Sequence, residues 1–266
     1  MQVVFRNTPI VYTEKGSGAA VVLLHGYLES SEIWGNFLDL LAQNFRVISI
    51  DLPGHGLSGT IEDVHSMKLM AEAVNTVLDA LDLKKVFIVG HSLGGYVAQA
   101  FLEKYPWKLF GICLFHSSPL ADTAARKVKR EKEIDFIEKG RFHLICSFGI
   151  EDSFAPENVE RLKKEVERAK QIALRTPEKG AIAALRGMKE RPDRQFLLKE
   201  TTVPLFFILG KHDANLPADL LLSIASRTHT GESLLLNHTA HMGFVEEPDI
   251  CREVLSSFIL QHTQKH

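Results

Sequence analysis

The sequence predicts an α/β fold, a mostly parallel sheet with helices on both faces. Three observations predict it. Short unbroken apolar runs rich in β-branched residues recur along the chain, segments of helical spacing alternate with them, and a Gly-x-Ser-x-Gly pattern sits at one strand-to-helix junction. Strands covered on both faces read as continuous apolar runs, as parallel sheets require, and regular strand–helix alternation marks a layered α/β architecture. A chain of 266 residues is long for one domain but ordinary for this class, and buries a substantial core.

The elements follow in order. Val3 to Phe5 and Ile10 to Thr13 form a short hairpin with Asn7-Thr8-Pro9 as its turn. Ala19 to Leu24 is a buried strand after the Gly16-Ser17-Gly18 turn, Trp34 to Leu41 an amphipathic helix, Arg46 to Ile50 a strand and Met67 to Leu81 a helix. Val86 to Val89 is a strand, helical spacing runs from Gly95 to Lys104, and Phe110 to Phe115 is a strand again. Val203 to Leu209 and Glu232 to Leu236 complete the set, each followed by helix-forming sequence.

Residues 120–199 differ in texture, with dense charge of both signs and apolar residues Val159, Leu162, Val166, Ala169 and Ala173 at helical spacing. This stretch interrupts the sheet and is expected to form a helical lid over the strand ends, leaving 1–119 and 200–266 as the core domain. Phe136, Phe142, Phe148 and Phe154 lie in it. Each serves either packing or a substrate pocket, and Phe136, Phe142 and Phe148 are taken as the substrate-binding candidates. The basic run Arg126 to Glu133 reads as a solvated helix face, with anion binding as the alternative.

Composition narrows the function. Hydrophobic residues make up 45% and charged residues 24%, which separates the chain from disordered sequences. A formal net charge of −2 supplies no footprint for nucleic acid, so none is expected as a partner. Cys113, Cys146 and Cys251 are far apart and form no CxxC, which points to neither a disulfide framework nor a metal site. Nothing reads as a signal peptide or a membrane span, so the expected location is cytoplasmic.

The chemistry centres on Gly90-His91-Ser92-Leu93-Gly94. Gly-x-Ser-x-Gly arises by chance in on the order of one in ten chains of this length, so its flanks carry the weight. Here an apolar strand precedes it and a helix follows, the context of a strained turn that exposes a serine hydroxyl at a strand's carboxyl end. Ser92 is the candidate nucleophile.

A nucleophilic serine needs a base and an acid, and in this strand-turn-helix context they follow it in the chain in the order acid, then histidine. Of twelve histidines, six lie beyond the lid. His262 and His266 fall in the C-terminal tail, and His229 in a polar turn before the last strand. His238 and His241 directly follow the last strand, and His241, opening Met242-Gly243-Phe244, is the candidate base, with His238 its rival. A neutral imidazole there can take and return the serine proton. Asp213, in the loop after Val203 to Leu209, is the candidate acid, and Asp122 the rival. Backbone N–H groups of Leu93 and Tyr27 are the candidate oxyanion hole. His25, His55 and His91 are read as structural, with the turn directing His91 away from Ser92.

His25-Gly26, Asp51-Leu52-Pro53-Gly54-His55-Gly56-Leu57-Ser58, Gly90 to Gly95, Gly210-Lys211-His212-Asp213 and His241 to Phe244 together resemble the α/β-hydrolase superfamily over nearly the whole chain. The resemblance implies a predominantly parallel eight-stranded sheet, a helical lid between the sixth and seventh strands, hydrolysis without a cofactor, and a triad on Ser92, Asp213 and His241. Haloalkane dehalogenases and epoxide hydrolases carry an aspartate where this chain has Ser92. Tyr96 stands where the menaquinone-pathway synthase family has an arginine after its elbow glycines. Enol-lactone hydrolases and carboxylesterases are the branch most alike. The expectation is therefore a serine esterase or lactonase acting on a small, largely apolar substrate without metal or membrane, as a monomer or homodimer. A carbon–carbon hydrolase or lyase on the same triad, and a non-catalytic binding protein, are the alternatives.

Overall fold

The computed structural model describes residues 1–263. It opens with β1 (Gln2–Phe5) and β2 (Thr8–Lys15). The turn between them is not Asn7-Thr8-Pro9 but Arg6-Asn7, both with positive φ (50° and 62°). Two left-handed residues give the tight hairpin whose twist matches its strands, which frees Thr8 and Pro9 to pair with Phe5 and Val4. There follow β3 (Ala20–Leu24), α1 (Gly35–Leu41), β4 (Arg46–Ile50), α2 (Met67–Ala80), β5 (Val86–His91), α3 (Leu93–Lys104) and β6 (Leu109–Phe115). The next stretch holds six helices and no strand: α4 (Ala124–Glu138), α5 (Phe142–Glu151), α6 (Pro156–Val159), α7 (Lys163–Leu174), α8 (Glu178–Glu190) and α9 (Gln195–Glu200). Then come β7 (Leu205–Gly210), α10 (Ala218–Ala225), β8 (Gly231–Leu236), α11 (Gly243–Glu246) and α12 (Pro248–Thr263).

The eight strands form one sheet in the order β1-β2-β4-β3-β5-β6-β7-β8. The β1–β2 and β2–β4 pairs are antiparallel and every other pair is parallel. β3, β5 and β7 are buried at every position, as their unbroken apolar sequences require. Helices α2 and α3 pack on one another, as do α1 and α12, and they cover the sheet. Helix α2 shows how the sequence achieves this: Ser66 caps it by accepting the Leu69 N–H at 3.1 Å, and Met70, Val74, Val77 and Leu78 turn into the core. Such a cap contributes about 1 kcal/mol. Parallel strands carry their carboxyl ends to one edge, so the loops after β3, β5, β6, β7 and β8 gather there. Among the described residues no helix is long and apolar enough to cross a membrane.

Helices α4 to α8 reach this edge partly through α8, which lies against the loop between β4 and α2. The His65 N–H donates to Ala183 O at 2.9 Å. A Cβ on Gly187 would lie 1.8 Å from His65 O, so the approach depends on a bare backbone. Gly187→Ala is therefore expected to destabilise the protein by about 1 to 3 kcal/mol through overpacking. Urea denaturation checks it, and a midpoint equal to wild type would contradict this docking.

Candidate active site

Ser92 caps α3 directly after β5, with φ 48° and ψ −109°. A non-glycine residue held there costs on the order of 1 to 3 kcal/mol and persists only when its surroundings impose it. They do. The Ser92 N–H donates to Phe115 O at 3.0 Å, and its carbonyl accepts from Ser117 Oγ at 2.7 Å and from the Gly95 N–H at 3.0 Å. A Cβ on Gly94 would lie 2.1 Å from Leu24 O, and one on Gly90 2.4 Å from Gly94 O, so the motif's glycines let helix, strand and neighbouring strand crowd together. The side chain is left partly exposed in a cavity.

His241 and Asp213 come from the loops after β8 and β7. His241 Nδ1 lies 2.6 Å from Asp213 Oδ2, a short charge-assisted hydrogen bond. The other carboxylate oxygen, Oδ1, accepts the N–H groups of Asn215 (2.9 Å) and Leu216 (3.2 Å). Burial alone would raise the Asp213 carboxyl, but the adjacent imidazole, helped by His116 and the Asn215 N–H, brings it down to about 2. Burial alone would lower His241, yet the Asp213 charge and hydrogen bond hold it above the ordinary imidazole value. Ser92 and His241 line the same two cavities. Among the described residues their side chains exchange no hydrogen bond in this conformation.

Sequence reasoning missed His116, whose φ is 45°. Its Nε2 accepts the Gly243 N–H at 3.1 Å, so the proton sits on Nδ1, 3.8 Å from Asp213 Oδ2. His116, Asp213 and His241 form a compact buried trio. The 2.6 Å contact within it is a hydrogen bond between imidazole and carboxylate. Glu246 was also missed. Its Oε1 accepts from the N–H groups of Ala240 (3.0 Å) and Met242 (3.2 Å), and its Oε2 accepts from Ala155 N–H and Asn158 Nδ2, both at 2.8 Å. This buried carboxylate thus fastens the His241 loop to the segment between α5 and α6, and the His241 N–H adds a bond to Ser153 O at 2.9 Å. A lone glutamate at a helix end gives no sequence signal of such a role.

The other candidates have other partners. Asp122 lines the smaller cavity but is held by Arg130 Nε and by Arg191 Nη1 (2.6 Å) rather than by His241. Arg191 also lies over the Tyr96 ring, 3.9 Å from its centroid. His238 is largely exposed, beside Glu157 at 3.4 Å. His25 braces its loop, accepting the Leu52 N–H at 3.0 Å, and burial pushes His55 down to about 3. Tyr27 lines the larger cavity, and Leu93 is the first residue of α3. Neither backbone N–H donates a hydrogen bond among the described residues. Leu28 beside Tyr27 adopts a left-handed φ of 61°. His91 turns its ring toward the His241 loop, its Nε2 lying 2.9 Å from His241 O. It is buried, and its ring centroid lies 4.9 Å from that of His241.

The cavities correct the expected substrate pocket. The larger, about 820 Å³, and the smaller, about 270 Å³, meet at Ser92, Tyr96, Arg126, Asn215 and His241. Phe136, Phe142 and Phe148 line neither. Phe142 is buried in helix packing, Phe136 lies under the Arg141 guanidinium, and Phe148 is 69% exposed. Helical phase explains this, because those faces of α4 and α5 turn to neighbouring helices or solvent. Phe154 does line the larger cavity. Its wall is more polar than expected, with Arg126, Lys129 and Arg130 lining it together with Glu29, Glu133, Glu151 and Asp152.

Comparison with known proteins identifies the family. The first curated relatives match only a segment: the chain is 43% identical over 91 residues to an uncharacterized protein of Mycobacterium tuberculosis, 34% of this chain and 27% of that protein. The chain thus spans about a quarter of that relative's length. Over nearly full length it is 26% identical to a pimeloyl-[acyl-carrier protein] methyl ester esterase of Aeromonas hydrophila, covering 92% of this chain and 96% of that one. Among solved structures it is similar to a thermophilic esterase from Thermogutta terrifontis, malate bound, with a TM-score of 0.92, 27% identity and coverage of 96% and 95%. The family model described as alpha/beta hydrolase fold matches residues 19–248. With its eight-stranded, mostly parallel sheet, this chain belongs to the α/β-hydrolase fold family.

Proposed function

We propose that the protein is a serine hydrolase cleaving a carboxylic ester or lactone of a small molecule through an acyl-enzyme. One observation carries this reading: the strained, partly exposed Ser92 shares its cavities with His241, whose far nitrogen is hydrogen-bonded to a buried Asp213 carboxylate. His241 takes the Ser92 proton as the oxygen attacks the carbonyl, and Asp213 fixes the tautomer and stabilises the imidazolium. The unused N–H groups of Tyr27 and Leu93 serve the oxyanion, and losing one such donor costs about 3 to 4 kcal/mol in the barrier. Water then releases the acyl group. Substrate binding closes the Ser92–His241 hydrogen bond, since such bonds often tighten only in the Michaelis complex. Helices α4 to α8 act as the lid, and the two cavities meeting at Ser92 separate the acyl and leaving groups. The esterase relatives support the same chemistry.

The mixed wall favours a substrate with polar groups over a largely apolar one. It does not favour the carbon–carbon or lyase alternative, which needs a cationic pocket, because four carboxylates line it beside its three cations. A panel of p-nitrophenyl esters graded by chain length, run beside a lactone and a dicarboxylate monoester, tests the reading. Turnover of short esters or the lactone is expected; no turnover of any member would contradict it.

A further inference from the structure

Glu29 is a buried carboxylate with no lysine or arginine among its hydrogen-bond partners. It sits in the loop after β3, two residues beyond Tyr27. Its Oε2 accepts the Gly26 N–H at 2.6 Å and lies 3.0 Å from His91 Nδ1, while His91 Nε2 lies 2.9 Å from the carbonyl oxygen of His241. A carbonyl cannot donate, so Nε2 must carry a proton. An ionised Oε2 accepts both the Gly26 N–H and a proton carried on Nδ1. The bonds on both ring nitrogens close with His91 as an imidazolium paired with ionised Glu29: burial would raise the Glu29 carboxyl, but the His91 ring and the Gly26 N–H hold it below its ordinary value. The space confirms how tightly the pair is set: a Cβ on Gly26 would lie 2.8 Å from His91 Nδ1 and 2.9 Å from Glu29 Oε2. The aromatic rings around His91 are those of Trp34, Phe115, Phe244, His116 and His241. None of these supplies a second carboxylate.

We propose that Glu29 and His91 are positioning residues, a buried imidazolium–carboxylate strut that ties the oxyanion loop at Gly26–Tyr27 to the main chain of His241. One carboxylate thereby fixes the loops after β3 and β8 to the end of β5, whose mutual placement the proposed reaction requires. The strut acts on the site read above as an ester hydrolase and rests on that reading for its kinetic consequence. Glutamine at position 29 cannot replace the charge. Its oxygen would need a cationic His91 without a counter-ion, and its nitrogen would oppose the Gly26 N–H.

The spectroscopic arm needs no substrate. At pH 7 the ¹⁵N–¹H spectrum of wild type, assigned with His91→Phe, should show protons on both His91 ring nitrogens. One bare nitrogen would overturn the proposal. The kinetic arm uses Glu29→Gln, His91→Phe and the double variant. Each single change should lower kcat by about 10- to 100-fold with KM within about threefold, the effect of misplacing a catalytic group rather than losing a substrate contact. The double variant should lose no more than the worse single one, because both remove the same strut. Losses that multiply, or that fall on KM, would contradict it. A wild type that turns over no ester would refute the hydrolase reading, while the spectrum still decides the strut.

Discussion

Ser92→Ala is expected to lower kcat on a p-nitrophenyl ester by about 10⁴-fold or more, roughly 5 kcal/mol of barrier, while the fold survives. The backbone of residue 92 is held by Phe115 O, Ser117 Oγ and the Gly95 N–H, none of which touches the hydroxyl, so truncating the side chain leaves the turn anchored. KM should change little, since the oxyanion donors and cavity walls persist. Thermal unfolding unchanged beside lost turnover is the expected pair of results. A variant keeping more than about a tenth of wild-type turnover would remove Ser92 from the mechanism.

Asp213→Asn is expected to be nearly as severe, about 10⁴-fold in kcat, because an amide leaves His241 in the wrong tautomer. It carries a second signature in pH. The base must be neutral to accept the serine proton, so kcat/KM falls as pH drops through the pKa of His241. Asp213 holds that pKa above 6.5, so the acid limb of wild type should have its midpoint above this value. In Asp213→Asn the raising charge is gone and burial, the largest influence on His241, acts downward, so the limb should move to lower pH. A pH–rate profile of residual activity checks the direction. A limb that stays put or moves up would mean that Asp213 does not face the base in solution.

Much of this was legible in the sequence because periodicity and special residues are local signals. Apolar runs such as Val86 to Val89 could only be buried strands, and Gly90 and Gly94 flanked a serine whose turn tolerates no Cβ on either side. The loops holding Asp213 and His241 followed from strand order. What remained hidden was set by distance in space. Glu29 and His91 are 62 residues apart, and His91 and the His241 carbonyl 150, so no spacing rule links them. Glu246 joins segments 88 and 91 residues away through backbone N–H and amide groups that any sequence could supply. The phenylalanines failed for a related reason. Side-chain size marks a residue as buried against something, and only the phase of α4 and α5 decides whether that is a cavity or a neighbouring helix.

The central claim, an acyl group carried on Ser92, is tested most directly by rapid quenching of wild type with excess p-nitrophenyl ester, followed by peptide mass spectrometry. A burst of p-nitrophenol approaching one equivalent, with the acyl mass on the peptide containing Ser92, is the predicted result. Steady turnover without a burst would not decide, because fast deacylation hides the intermediate, so the measurement is repeated with a fluorophosphonate that cannot be released. The label should then fall on Ser92 and abolish activity. Turnover that survives full exposure to the fluorophosphonate, or a label on any other residue, would contradict it.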